Sequence, residues 1–195
     1  LSSGMSSLKE ISDALKLLIK YGTLKKNITL LQCNSSYPSQ LKDLNLRAML
    51  LFKKKFKINI GLSDHSSSIY PPMIAIALGA SVIEKHLTLN KKMSGPDHKS
   101  SMSPGQFKIM VDGIKDTQIM LGSYEKKVLR LEKKNLYFAR KSIVAKKKIN
   151  KGDKFNNYNL TTKRPGGGIS PMLWNKIIGK RSKRTFYTDD LIKRK

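Results

Sequence analysis

Short apolar runs that alternate with helical patterns constrain the fold of this chain more than any other feature. The runs fall at 28–31, 58–62 and 81–89. Ser7-Leu8-Lys9-Glu10 reads as a capping box that opens a helix with Ile11, Leu15, Leu18 and Ile19 on one face and Gly22 as its stop. A second helix runs through Leu46, Ala48, Met49, Leu50 and Leu51, and a third spans 71–78 and stops at Gly79. Ser103 as N-cap, Pro104 in the first turn and Gln106 in the capping-box position open a fourth, with Phe107, Met110, Val111 and Ile114 as its apolar face. Apolar strands alternating with helices predict an α/β architecture, a parallel sheet covered by helices. In such sheets the functional rim lies at the C-terminal strand ends. Polar clusters fall there in all three cases: 34–37, 63–65, and Glu84 with His86.

Three strand and helix units cannot close a barrel of this type, which takes eight. The chain also begins at Leu1 rather than Met and runs straight into Ser2-Ser3-Gly4-Met5, which suggests a chain cut from something longer. The expected fold is therefore the C-terminal portion of a (β/α)8 TIM barrel whose N-terminal strands are missing. After Gly122 the texture changes to a charged, helical-looking connector and then to short strands punctuated by Gly and Pro, as in Arg164-Pro165-Gly166-Gly167-Gly168. The predicted divisions are 1–122 for the partial barrel, 123–138 for a linker and 139–195 for a small β-rich domain. A module of that size is marginal alone and is expected to dock on something.

The formal charge of +26 raises nucleic acid or an anionic membrane as a partner. The basic residues are spread along the chain, however, and their short runs at 53–55, 146–148 and 180–184 lie on or beside amphipathic elements. Aromatic and basic residues do not interleave as in base-stacking surfaces, so neither nucleic acid nor membrane is expected as a partner. An anionic small substrate remains compatible with the charge. With no run long and apolar enough to span a bilayer and no signal-like opening, a soluble, cytoplasmic protein is expected. The single cysteine, Cys33, excludes an internal disulfide framework and a zinc site built on several thiolates.

His65 and His86 come from the ends of successive strands, so in a barrel their rings could converge above the rim. Two neutral imidazoles with open remaining positions suit a catalytic divalent ion; the same pair could also be rim histidines bonded to backbone or carboxylate. Glu84 shares a strand face with His86 and is expected to point inward as a buried carboxylate, either a structural partner or a proton acceptor. Asp64, Asn34 and Ser35 have turn composition, and Tyr37 could cap the barrel core. Asp97 and His98 sit in a loop at the same end of the sheet, either a lid or a connection. Arg164 could fix an anion through its forked donors or lie on the surface.

Five ordered motifs carry a resemblance. They are Leu31-Gln32-Cys33 with Tyr37-Pro38, Gly61-Leu62-Ser63-Asp64-His65, Val82 to Leu89 around Glu84-Lys85-His86, Gly95-Pro96-Asp97-His98, and Lys163 to Pro171 around Arg164-Pro165-Gly166. Over essentially its whole length the chain resembles the sialic acid synthase family, which includes the legionaminic and pseudaminic acid synthases. The resemblance implies a barrel followed by an antifreeze-like (SAF) domain, and condensation of phosphoenolpyruvate with N-acetylmannosamine or a related N-acetylated sugar to a nonulosonic acid and phosphate. It implies His65 and His86 as ligands of Mn2+ or Mg2+, with Glu84 near the reacting centre. It implies Ser2, Ser63, Asn34 and Ser35 toward phosphoenolpyruvate, Tyr37 and Asp97 toward the sugar, and Arg164 reaching it from the partner of a domain-swapped homodimer. Because the family's phosphate-binding lysines and one catalytic glutamate lie on earlier strands, the 195-residue chain alone is expected to fold poorly and lack synthase activity. A degenerate, non-catalytic remnant binding polyanions is the reading from a different class.

Overall fold

The computed structural model describes residues 1–193 and falls into two compact units, the first covering Leu1–Tyr124 and the second starting at Glu125. In the first, three strands, β1 (Thr29–Cys33), β2 (Asn59–Asp64) and β3 (Val82–Lys85), form a parallel sheet in that order. Helix α1 (Leu8–Lys20) precedes β1, α2 (Ala48–Phe56) links β1 to β2, α3 (Tyr70–Ala77) links β2 to β3, and α4 (Pro104–Leu121) follows. The N-terminal residues extend the sheet beyond β1: Ser2 bridges Leu31 in parallel, and the Ser3 amide donates to the Leu31 carbonyl at 2.9 Å.

Register sorts the strand residues between two faces. Leu30, Ile60 and Leu62 point at the helices and are buried with Ile11 and Leu15 of α1, Met49 and Phe52 of α2, and Ala75 of α3. The alternate residues Leu31, Gly61 and Val82 line up across the sheet on the other face, followed one step later by Cys33, Ser63 and Glu84.

Both predicted capping boxes form. Ser7 Oγ accepts from the Glu10 amide while the Glu10 carboxylate accepts from the Ser7 amide at 2.7 Å; Ser103 and Gln106 repeat the arrangement on α4. Hydrogen bonds from Ser7 hold Glu10 below its ordinary 4.5, and Lys9 and Lys16 hold Asp13 below 3.8. A carboxylate whose folded pKa is depressed stabilises fully above its unfolded value and loses that contribution as pH falls through the lower folded value. Glu10→Gln is therefore expected to flatten the acid limb of the helical circular dichroism signal below about pH 4.5. An unchanged acid limb would assign the transition to other carboxylates.

The expected third strand at 81–89 is shorter than its composition suggested, since β3 ends at Lys85. Beyond it the chain leaves β2 and pairs with a different partner: the Met102 amide donates to the His86 carbonyl and the Thr88 amide to that of Met102, both at 2.9 Å. His86 thus lies just past the strand rather than within it.

The second unit carries two short helices, α5 (Arg130–Lys133) and α6 (Leu136–Ala139), where the connector was expected. An antiparallel pair follows, β4 (Ser142–Ala145) with β5 (Leu160–Lys163), and then a short α7 (Trp174–Ile177). Its own core gathers Ile143, Ala145, Ile149, Phe155, Leu160, Phe186 and Ile192. The expected β-rich domain ran to 195, and residues 194–195 lie outside the described residues. Among the described residues no helix is long and apolar enough to cross a membrane.

Candidate active site at the strand ends

The three strands end together, and their alternation decides which side chains meet. Ser63 and Glu84 are registered partners on β2 and β3, and the Ser63 hydroxyl donates to Glu84 Oε1 at 2.6 Å. One alternation further, His65 and His86 bring their rings to a centroid separation of 5.2 Å at 87°. Tyr37, from the loop after β1, stacks on His65 at 4.1 Å and meets His86 edge-on at 5.7 Å. Loss of water around Tyr37 raises its phenol above the ordinary 10.0, and Cys33, Asp97 and Glu84 push the same way, so the ring stays neutral at ordinary pH.

His65 is buried, and its Nδ1 lies 2.6 Å from the Asn34 carbonyl. A carbonyl only accepts, so Nδ1 carries a proton; in the neutral ring Nε2 then holds the lone pair, 3.5 Å from Ser63 Oγ. Metal-binding histidines are commonly fixed in this way, the second ring nitrogen donating to a backbone carbonyl. His86 is only partly exposed, and its Nδ1 lies 3.9 Å from Asp97 Oδ2. The donor chemistry fits a divalent ion held by the two imidazoles. Among the described residues no three His, Cys, Asp or Glu side chains gather into a metal cluster.

The structure thus brings together His65, His86, Glu84, Ser63, Tyr37 and Asp97. Glu84 is exposed, not the buried carboxylate expected. The side chain of Asn34 is committed to its own turn, its amide nitrogen donating to the Asp43 carbonyl and its oxygen accepting from the Ser36 amide, while Ser35 is exposed. Ser2 sits at the level of Leu31, Gly61 and Val82, one step below Cys33, Ser63 and Glu84. His98 fastens the Asp97 loop, its Nδ1 lying 2.7 Å from Thr88 Oγ1. Arg164 belongs to the second unit, where it is exposed and its Nε donates to the Ala139 carbonyl at 3.0 Å.

Sequence reasoning missed one feature beside the site. Asp64, expected as a turn residue, forms an ion pair at 2.6 Å with Lys85, and both side chains are almost wholly buried. The signal was present in the sequence: each residue immediately precedes one of the two histidines.

Comparison with known proteins covers both units. Residues 1–126 match the model described as the NeuB family, and residues 140–195 that of the SAF domain. The chain is 47% identical over 193 residues to the N,N'-diacetyllegionaminic acid synthase of Campylobacter jejuni, covering 99% of this chain and 58% of that protein. It is 36% identical to the N-acetylneuraminate-9-phosphate synthase of Homo sapiens, with 98% and 53% covered. The crystal structure of the N-acetylneuraminic acid (sialic acid) synthetase of Leptospira borgpetersenii, in complex with citrate, superposes with a TM-score of 0.62 at 34% identity, covering 69% of this chain and 46% of that one. The chain thus spans little more than half the length of the curated relatives it matches.

Proposed function

From the premise that the chain belongs to the NeuB family and carries a SAF domain, we propose that it forms the C-terminal part of the barrel, and the following domain, of a nonulosonic acid synthase. The reaction joins carbon 3 of phosphoenolpyruvate to the aldehyde carbon of an N-acetylated sugar such as N-acetylmannosamine. Water adds at carbon 2, and the carbon–oxygen bond to phosphate breaks. The observation that carries this reading is the convergence of His65 and His86 at the strand ends, with His65 Nδ1 donating its hydrogen to the Asn34 carbonyl.

A Mn2+ or Mg2+ ion bound there would supply a Lewis acid for the sugar carbonyl. Glu84, exposed at the rim and held by Ser63, is placed to orient or exchange a proton with the sugar or the attacking water. Tyr37 and Asp97 wall the sugar side. With the Asn34 side chain committed to its turn, Ser35 rather than Asn34 is the residue free to meet phosphoenolpyruvate, with Ser63 and Ser2 contributing from the sheet. Arg164 reaches the sugar from the partner in a domain-swapped homodimer.

Identity of 47% to a legionaminic acid synthase, against 36% to the human relative, favours as second reading a product of the N,N'-diacetyllegionaminic type. The test is phosphate release from phosphoenolpyruvate by the full natural polypeptide carrying this chain, with a panel of N-acetylated sugars, with and without Mn2+. Sugar-dependent release abolished by EDTA is expected, and the preferred sugar separates the two readings. Phosphoenolpyruvate left intact with every sugar would overturn both.

A further inference from the structure

Asp64 and Lys85 stand immediately before His65 and His86, and they are the last registered pair between β2 and β3. Alternation sends their side chains to the face opposite Ser63 and Glu84, under the helices. There the carboxylate and ammonium meet at 2.6 Å, with side-chain exposures of 0% and 2%. The Lys85 ammonium also donates to the carbonyls of Ser66 and Ser68, and Asp64 Oδ1 accepts from the Ser66 amide at 2.9 Å. Every partner of this pair therefore belongs to β2, β3 or the turn by which the chain leaves His65.

Stability alone is a poor reason to bury such a pair. Taking two charges out of water opposes their attraction, and apolar residues of similar volume often hold a core as well or better. Burial indeed pulls the Lys85 ammonium below the ordinary lysine range, against the hydrogen bond and charge of Asp64. Directional bonds supply what an apolar pair cannot: they fix the stagger of the two strand ends and the path of 64–68.

We infer that Asp64 and Lys85 are positioning residues that hold the His65 and His86 rings at the separation a shared divalent ion requires. The metal part rests on the reading above; the ring geometry does not.

The test uses the full natural polypeptide, with Mn2+ as the probe and no substrate. Asp64→Asn and Lys85→Met each strand a buried charge and are expected to lower the urea midpoint. The double variant removes both charges and is expected to regain most of the midpoint. It should nonetheless bind Mn2+ about 10- to 100-fold more weakly, the range seen when groups that orient metal ligands are lost. In the metal-free state it should lose the ring-to-ring nuclear Overhauser contacts between His65 and His86. Parental Mn2+ affinity with those contacts retained would overturn the inference and leave the pair a structural one. If the double variant does not fold, the isosteric Asp64→Asn variant, read below its own midpoint, decides by the same two measurements. If the parent shows no saturable Mn2+ binding, the metal reading fails, and the ring contacts still decide whether the pair positions the histidines.

Discussion

Replacing His86 by alanine is expected to lower Mn2+-dependent phosphate release about a thousandfold, corresponding to about 4 kcal/mol of lost transition-state stabilisation. The protein should remain folded, because His86 lies past the end of β3 and contributes nothing to the core beneath the sheet. His65→Ala should match it in rate but not in stability. That ring is buried, is bonded to the Asn34 carbonyl and supports the stacked Tyr37, so its removal leaves an acceptor without its donor. The added destabilisation is about 1–3 kcal/mol. Phosphate release as a function of Mn2+ concentration, alongside urea melts of both variants, separates the two effects. His86→Ala at the parental rate with parental Mn2+ dependence would remove the metal assignment. A rate lost in the variant but insensitive to EDTA in the parent would reassign the pair to proton transfer or substrate binding.

Local signals in the sequence were read correctly wherever the determinant was local. The capping boxes at Ser7 and Ser103 need only residues three apart, and both form. The apolar faces of the strands and helices found one another because burial of Leu30, Ile60 and Leu62 against Met49 and Phe52 leaves one parallel arrangement. Errors arose where a residue's environment depends on a distant partner. Leu87 and Leu89 extend the β-prone run past Lys85, but pairing there passes from β2 to Met102, which no periodicity announces. Alternation puts Glu84 on the same face as Ser63, yet burial depends on what covers that face. Asp64 beside Ser63 and Ser66 has turn composition, and only the register of β2 with β3 reveals Lys85 as its partner. Convergence of His65 and His86 was legible because each lies two residues past an in-register pair, Ser63 with Glu84.

Gly61→Ala is expected to be the most damaging single-methyl change in the first unit, at about 3 kcal/mol or more, the upper end for overpacking. Gly61 sits in the middle of the central strand, paired with Leu31 on one side and Val82 on the other. A Cβ there would lie 2.4 Å from Leu31 Cδ2 and 2.5 Å from the Val82 carbonyl oxygen. The leucine methyl can rotate away; the carbonyl belongs to the sheet and cannot move without shifting β3. Displacing β3 carries Glu84 and Lys85 with it, and through them His86. The damage should therefore reach the site: the ring contacts between His65 and His86 should weaken in whatever fraction stays folded. Gly105→Ala is the matched control, since a Cβ at that position in the first turn of α4 meets nothing within 4 Å. That change should stabilise by about 0.4–1 kcal/mol by restricting the unfolded chain. Urea melts followed by far-ultraviolet circular dichroism distinguish the two. A Gly61→Ala protein that melts with its parent would mean that β2 and β3 do not pack at the register that brings the histidines together.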